Sequence, residues 1–120
     1  AYPAVLLPAE SWRLLLAGTA DHFGSDLGLD ASTVQELETY LTANAAGVAP
    51  GELSRKVAAC VVGQVPLRVT EVPMILREHR TLSSAVLAKP EVGGLGSCGA
   101  CHPGAAQGLF DDDSVRVPGR

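Results

Sequence analysis

Large aromatic side chains are scarce in this sequence. Phe, Trp and Tyr make up 4% of the 120 residues, although hydrophobic residues as a class reach 47%. A chain of this length buries only a modest apolar core, and few large rings are available here to fill it. Composition therefore leaves two alternatives open: an aliphatic helical domain, or a domain whose interior receives its bulk from a bound cofactor.

Three further shortages narrow the class of protein. No run of about 18 apolar residues occurs, so no transmembrane helix is predicted. The chain lacks a basic excess, with a net charge of −4, which makes a nucleic acid an unsuitable partner. It contains only three cysteines, an odd and small number that does not build a disulfide framework.

Two of these cysteines form the most informative motif, Cys98-Gly99-Ala100-Cys101-His102. The pattern C-x-x-C-H is the attachment site of a c-type haem. One helical turn brings both sulfurs to one porphyrin edge for thioether bonds and carries the next residue under the iron. We therefore predict haem c attached at Cys98 and Cys101, with His102 as the proximal ligand. The third cysteine, Cys60, is predicted to be a small buried residue rather than a reactive thiol.

Two other interpretations of the motif are less favoured. A structural zinc site needs four ligands, and His102 cannot easily reach the ion bound by its neighbour Cys101, although Cys60 could contribute. A thioredoxin-like redox pair belongs at the start of a helix that follows a buried strand. The sequence upstream is not strand-like, and only 18 residues follow His102.

The sixth ligand of the iron has three candidates, His22, His79 and Met74. Met74 is the only methionine, lies at the start of a predicted helix and is expected in the core. The histidines make ligation by two imidazoles the favoured interpretation, which gives a lower reduction potential than a Met/His pair. The residues alone do not choose between His22 and His79. Two spare histidines beside one motif point to a second haem.

Hydrophobic periodicity predicts an all-α fold, because apolar residues recur every three to four positions. Asp30 or Ser32 can cap the second helix, and Thr70 can cap a helix that has Pro73 in its first turn. The predicted helices cover 9 to about 20 with Gly24 as the C-terminal cap, 32–45, and Pro73 to about His79. A further short segment within 54–67 is a helix or a strand, of which the helix is favoured.

The remaining segments are predicted to be irregular. Residues 1–8 are apolar, contain prolines and are predicted to be extended. Small residues predict a linker at 47–54 and a glycine-rich connector at 82–97. The acidic cluster Asp111–Asp113 is expected to be solvated rather than to steer a partner, and the tail is expected to be ordered only if it packs across the haem. These segments are 1–8, 47–54, 82–97 and 114–120.

Ordered motifs along nearly the whole chain resemble the small soluble dihaem cytochrome c family of bacteria. The chain departs from that family at Met74-Ile75, where an aromatic pair is usual. The motifs that carry the resemblance are Tyr2-Pro3, Leu6-Leu7-Pro8-Ala9, Ser11-Trp12, His22-Phe23-Gly24, Thr39-Tyr40-Leu41, Asn44-Ala45-Ala46, Arg68, Thr70-Glu71, Pro73, Arg77-Glu78-His79 and Ser97-Cys98 to His102, followed by Ala105 and Gly108.

The resemblance implies two haems, each with two axial histidines. Residues 1–50 would be a class I cytochrome c-like domain, and 51–120 a loop-rich C-terminal haem domain. His22 would be the distal ligand of the first haem, whose attachment motif is expected immediately before Tyr2 unless this member carries one haem. His79 would be the distal partner of His102.

The resemblance also implies electron transfer in the periplasm, without catalysis. The implied redox partners are an oxygen-binding cytochrome c or a membrane cytochrome b, through which a monomeric carrier would associate with the membrane. The alternative function is that of a haem peroxidase or a ligand-sensing haem protein, which would require a labile sixth ligand.

Overall fold

The computed structural model describes residues 2–119, and within them the regular structure is helical. They contain no β-strand, only two isolated bridges, which pair Pro8 with Ala46 and His22 with Ser25. The predicted all-α fold is confirmed. The α-helices are α1 (Ala9–Ala17), α2 (Ala31–Ala43), α3 (Glu52–Cys60), α4 (Pro73–Glu78) and α5 (Ser84–Leu87), and 3₁₀ turns cover Ala4–Leu6, Thr19–Asp21, Val69–Glu71, Cys98–Ala100, Ala105–Gln107 and Asp112–Ser114.

The helices are short, and they have few turns in which to bury an apolar face. The longest, α2, has 13 residues, and α1 packs against it. Within the described range, no helix combines the length and apolarity needed to cross a membrane. An arrangement of short helices joined by loops leaves much of the chain free to line a cavity.

The first two helices lie at the predicted positions. The predicted N-terminal cap of α2 is confirmed, whereas the predicted C-terminal cap of α1 is not. Asp30 caps α2, because its carboxylate accepts a hydrogen bond from the Thr33 N–H at 2.7 Å. The prediction that Gly24 ends α1 is wrong. The helix ends at Gly18, whose N–H donates to the Leu15 carbonyl at 3.2 Å, and a separate 3₁₀ turn follows. Gly24 lies in a later turn with φ +91°.

The second half of the chain also departs from the sequence prediction in detail. α3 begins at Glu52, inside the predicted linker. Pro73 occupies the first turn of α4 as predicted, but Val72 is its N-terminal cap residue, because Thr70 belongs to the preceding 3₁₀ turn. α5 lies in the predicted connector and begins at Ser83, whose hydroxyl accepts from the Val86 N–H at 3.2 Å.

The core is small and mostly aliphatic, as the shortage of aromatic residues predicts. Its one large ring, Trp12, donates from Nε1 to the Ala4 carbonyl at 2.8 Å. Met74 is 7% exposed and belongs to the core, as predicted. The core contains residues that come before and after residue 50 in the sequence. The division into two domains at that position stays a prediction. The members of the core are Leu6, Leu7, Trp12, Ala45, Ala46, Val57, Val61, Val69, Val72 and Met74.

Candidate functional site

A cavity of about 870 Å³ lies between α3, α4 and the C-terminal loops. This volume is within the range of about 300–1,000 Å³ that is typical of ligand pockets. Cys98, Cys101, His102 and His79 all line it. The structure therefore brings together four of the five side chains that the sequence predicted to serve haems.

A tight turn positions the two cysteines and the adjacent histidine. The His102 N–H donates to the Cys98 carbonyl at 2.9 Å, which closes one helical turn across the motif. Gly94, with φ +100°, lets the chain bend ahead of this turn. Cys98 and Cys101 are half-buried free thiols. The spacing thus places both sulfurs and the imidazole in one compact loop.

Gly96 connects this loop to the start of the chain. Its carbonyl accepts a hydrogen bond from the Tyr2 hydroxyl at 3.0 Å and lies 3.7 Å from the Cys98 thiol, its second donor. A Cβ atom at position 96 would lie 2.8 Å from the Tyr2 oxygen, so a larger residue there would displace the Tyr2 hydroxyl. Tyr2 therefore positions the attachment loop from a distant part of the sequence.

His79 presents a defined tautomer to the cavity. Its Nδ1 lies 2.6 Å from the Ile75 carbonyl, one turn earlier in α4. Because a carbonyl can only accept, Nδ1 carries a proton and donates it, so that in the neutral ring the lone pair lies on Nε2. An imidazole oriented in this way by a backbone carbonyl is a typical metal ligand.

His102 is held by packing rather than by hydrogen bonds to the protein. Its ring lies edge-on to Phe110 with centroids 5.3 Å apart, and its Nδ1 is buried without a hydrogen-bond partner. Burial, followed by the charge of His79, lowers the pKa of His102, while Asp111 and Asp112 act in the opposite direction. The ring is thereby kept neutral, the form that binds a metal.

The same burial acts on the first cysteine of the motif. Desolvation, assisted by the neighbouring Cys101, raises the pKa of the Cys98 thiol, although its backbone hydrogen bond opposes the shift. Cys98 is therefore held as the protonated thiol. Addition of an S–H group across a vinyl bond needs this hydrogen and no external oxidant, so the thiol form suits thioether formation.

The spacing of the two imidazoles fits one iron between them. The ring centroids of His79 and His102 are 6.1 Å apart, and the ring planes make an angle of 73°. Two nitrogens on opposite sides of a metal, each about 2.0–2.1 Å from it, lie about 4 Å apart, with ring centres about 6 Å apart. The residues present therefore fit a haem held by two thioethers and two imidazoles.

His22 lies away from this cavity, in the turn that follows α1. Its backbone pairs with Ser25 through hydrogen bonds of 2.6 and 3.1 Å, and its ring lies edge-on to Phe23 with centroids 4.6 Å apart. The Arg68 guanidinium carbon is 4.0 Å from the centre of the Phe23 ring. Phe23 adopts φ +52°, which is unusual for a residue other than glycine. His22 is thus held in a separate, braced turn.

The third cysteine also reaches the cavity wall. Cys60 is half-buried and its Sγ lies 3.2 Å from the Val57 carbonyl. For residues 2–119, no three or more His, Cys, Asp or Glu side chains converge as a site for a bare metal ion. The zinc interpretation therefore has no ligand cluster in the described part of the chain.

Sequence reasoning missed several residues that shape the cavity. Tyr2 and Phe110 act through tertiary contacts that no local pattern predicts, whereas the bond from His79 to the Ile75 carbonyl lies within one turn of α4. The acidic cluster is exposed to solvent, as predicted, and two of its members, Asp111 and Asp112, also line the open cavity. The only available signal was that both lie within ten residues of the motif.

The comparisons with known proteins agree with this geometry. A family model described as dihaem cytochrome c matches residues 1–110. The chain belongs to the dihaem cytochrome c family. Its cofactor is accordingly haem c, as the motif predicted, and its helical fold is that of its relatives. No curated protein sequence matches the cytochrome.

Solved structures from two organisms resemble this cytochrome. A diheme cytochrome c from Rhodobacter sphaeroides is 40% identical, with a TM-score of 0.77 over 91% of this chain and 85% of that one. The diheme cytochrome sb-DHC from Shewanella baltica OS155 is 33% identical, with a TM-score of 0.79 over 99% of this chain and 83% of that one. Both levels of identity, over most of each chain, establish the relationship.

Proposed function

We propose that this member of the dihaem cytochrome c family is a periplasmic electron carrier that passes electrons through low-spin haems with two axial histidines each. Family membership establishes the coarser statement that it is a c-type cytochrome that carries electrons. The observation that supports the finer proposal is the pair His79 and His102, with ring centroids 6.1 Å apart in a cavity that the two cysteines line.

In the C-terminal site each residue has a separate role. Cys98 and Cys101 hold the haem through thioethers, His102 is the proximal ligand and His79 the distal one. The Ile75 carbonyl keeps the proton of His79 on Nδ1, so Nε2 remains available to the metal. Phe110 restrains the His102 ring from the side. When bound, the haem supplies reversible one-electron redox chemistry.

The arrangement favours a carrier over an enzyme. With His79 and His102 both bound to it, a haem in this cavity would have no coordination position left for a substrate, and its role would be to exchange electrons. The chain is therefore proposed to transfer electrons without catalysing a reaction of its own. A peroxidase or ligand sensor would need His79 to leave, and its hydrogen bond to the Ile75 carbonyl opposes that movement.

A second haem is proposed to use His22 as its distal ligand, within a class I cytochrome c-like domain of residues 1–50. His22 lies outside the cavity and in a turn braced by Arg68 and Phe23, so it is not needed at the C-terminal haem. Both similar structures are titled diheme cytochromes, which supports two haems here.

The periplasm and the redox partner follow from the cofactor and the family. Haem c is attached outside the cytoplasm, so we place the carrier in the periplasm. The proposed partner is an oxygen-binding cytochrome c or a membrane cytochrome b, and the carrier is proposed to be a monomer that reaches the membrane only through such a partner.

The proposal is tested by changing each histidine in the native holoprotein. His79→Ala should convert the C-terminal haem from a six-coordinate low-spin to a five-coordinate high-spin iron, visible in the absorption and EPR spectra. His22→Ala is the matched control, because it should leave the C-terminal haem low-spin and alter only the first one. A low-spin C-terminal haem in His79→Ala would refute the assignment.

Two further measurements separate the alternatives. The haem-to-protein ratio of the native protein should be two, whereas a ratio of one would remove the second haem and the role of His22. The ferrous protein should bind carbon monoxide slowly or incompletely. Fast and complete binding would support the ligand sensor or peroxidase instead.

A further inference from the structure

The described C-terminal residues fold back onto the haem cavity. We propose that residues 111–119, the C-terminal strap, lower the reduction potential of the haem at Cys98 and Cys101 by holding Asp111 and Asp112 at the cavity wall. The inference rests on the proposed electron-carrier function. The family model matches residues 1–110, so the strap lies outside the matched region.

Two hydrogen bonds anchor the strap. The Arg116 backbone N–H donates to the carbonyl of Cys101 at 2.8 Å, which ties the middle of the strap directly to the attachment loop. The Lys89 ammonium, two residues after α5, donates to the Gly119 carbonyl at 3.3 Å. These two hydrogen bonds hold the strap at its middle, Arg116, and at its last described residue, Gly119.

Local bonds give the strap a definite shape. A 3₁₀ turn covers Asp112–Ser114, and the Ser114 hydroxyl donates to the Asp111 carbonyl at 3.0 Å. The Arg116 guanidinium donates to the Val115 carbonyl at 2.9 Å and to the Asp113 carbonyl at 3.3 Å. These bonds hold the backbone of residues 111–116 in a compact turn.

The strap contributes two kinds of side chain to the cavity. Val115 and Val117 are half-buried and line it with apolar surface. Asp111 and Asp112 also line it, whereas Asp113 does not. Both carboxylates share the cavity wall with His102. The strap therefore places two negative charges at the wall of the cavity that the proximal ligand lines.

The direction of the effect follows from charge. Reduction adds one electron from the redox partner to the site, takes up no proton in this scheme, and lowers the charge of the site by one. Two negative carboxylates at the wall disfavour that change and stabilise the oxidised form. Each is exposed to solvent, so neutralising one should shift the oxidised-to-reduced equilibrium by about 1.5- to 5-fold, the range of an exposed charge pair.

Redox titration of the holoprotein at low ionic strength tests this proposal. Asp111→Asn and Asp112→Asn should each favour the reduced form, and the shift should shrink as salt is added. Asp113→Asn is the matched control, since it removes the same charge from the adjacent position that does not line the cavity. It should shift the equilibrium markedly less than either of the others.

A second pair of variants tests the anchor itself. Arg116→Pro removes the backbone N–H that binds the Cys101 carbonyl, whereas Arg116→Ala keeps it. The preceding Val115 has φ −64° and ψ 133°, a conformation that tolerates a following proline. In the Arg116→Pro background, Asp111→Asn should lose most of its effect, and amide exchange across 111–119 should accelerate. In the Arg116→Ala background the effect of Asp111→Asn should remain.

The outcomes are distinguishable from a failure of the proposed function. Equal shifts for all three aspartates, no shift at all, or an Asp111→Asn shift that survives Arg116→Pro would each overturn the role of the strap while the low-spin spectrum stays intact. Loss of the assigned ligands would instead appear in the spectra of the His79→Ala and His22→Ala proteins.

Discussion

His79 and His102 both line the cavity, with ring centroids 6.1 Å apart and ring planes at 73°. A different contact acts on each of the two imidazole rings. A backbone carbonyl fixes the tautomer of His79, and burial lowers the pKa of His102. A metal binds the neutral imidazole, and these contacts favour the Nδ1–H tautomer of His79 and the neutral form of His102.

Exchanging the proposed distal ligand should change the reduction potential. His79→Met replaces an imidazole with a thioether, and a Met/His pair has a higher potential than two histidines. We expect the midpoint potential of the C-terminal haem to rise in a spectroelectrochemical titration. Met74→Leu is the control, because Met74 is a core residue that is 7% exposed. A Met74→Leu protein that loses its low-spin spectrum would contradict the assignment of His79.

Removing the Tyr2 hydroxyl should loosen the attachment loop. Tyr2→Phe keeps the ring but deletes the 3.0 Å hydrogen bond to the Gly96 carbonyl, at a cost of about 0.5–1.5 kcal/mol in the free energy of unfolding. Amide exchange in residues 96–101 should accelerate. Tyr40→Phe serves as the control, since Tyr40 is 63% exposed. Equal behaviour of the two variants would argue against an anchoring role for Tyr2.

The cation above Phe23 should stabilise the turn that holds His22. Arg68→Gln removes this interaction, which at an exposed site is worth about 0.5–1 kcal/mol, and should speed exchange of the His22 and Ser25 amides. Arg68 also pairs with Glu71 at 3.7 Å, so Glu71→Gln is the control that leaves the cation over the ring. If Glu71→Gln has the same effect on these amides, the ion pair and not the ring contact stabilises the turn.

The cap of α2 should make stability depend on pH in the acid range. Hydrogen bonds from Thr33 lower the pKa of Asp30 below its ordinary 3.8. The stabilisation is therefore present above pH 3.8 and is lost as the pH falls through the lower, folded-state value. Asp30→Ala should lower the thermal midpoint at neutral pH, with a difference from the native protein that shrinks in strong acid.

Ser32 provides the control for this prediction, because it was the other candidate cap and the structure assigns the role to Asp30. Ser32→Ala should have a smaller effect on the thermal midpoint at neutral pH and should not change the acid dependence. A midpoint for Asp30→Ala that follows the native protein at every pH would show that the cap contributes nothing measurable.

Local patterns predicted the helical elements well. Asp30 precedes a segment with helical hydrophobic spacing, and Pro73 lies in the first turn of a helix. Both signals depend only on residues a few positions away. The cysteine motif could also be interpreted from the sequence, because a single turn of the chain determines its geometry. Gly24 misled the prediction for α1, since Gly18 offered an earlier end and only the observed hydrogen bonds distinguish the two.

The rest of the site depends on contacts between distant segments. Nothing near Tyr2 indicates that its hydroxyl meets Gly96, and the exposed acidic cluster reaches the cavity wall only because the chain folds back on Cys101. The choice between His22 and His79 is of the same kind. Spacing alone left both histidines open, whereas the structure puts only His79 beside the motif and places His22 in another turn.

The bond between Tyr2 and Gly96 joins positions 94 residues apart. During synthesis the donor emerges first and its acceptor 94 residues later. Closing so large a loop costs entropy before the contact can form, although this cost grows only slowly with length. We therefore expect the attachment loop to acquire its final shape late in folding, after the helices that precede it have formed the surface on which it packs.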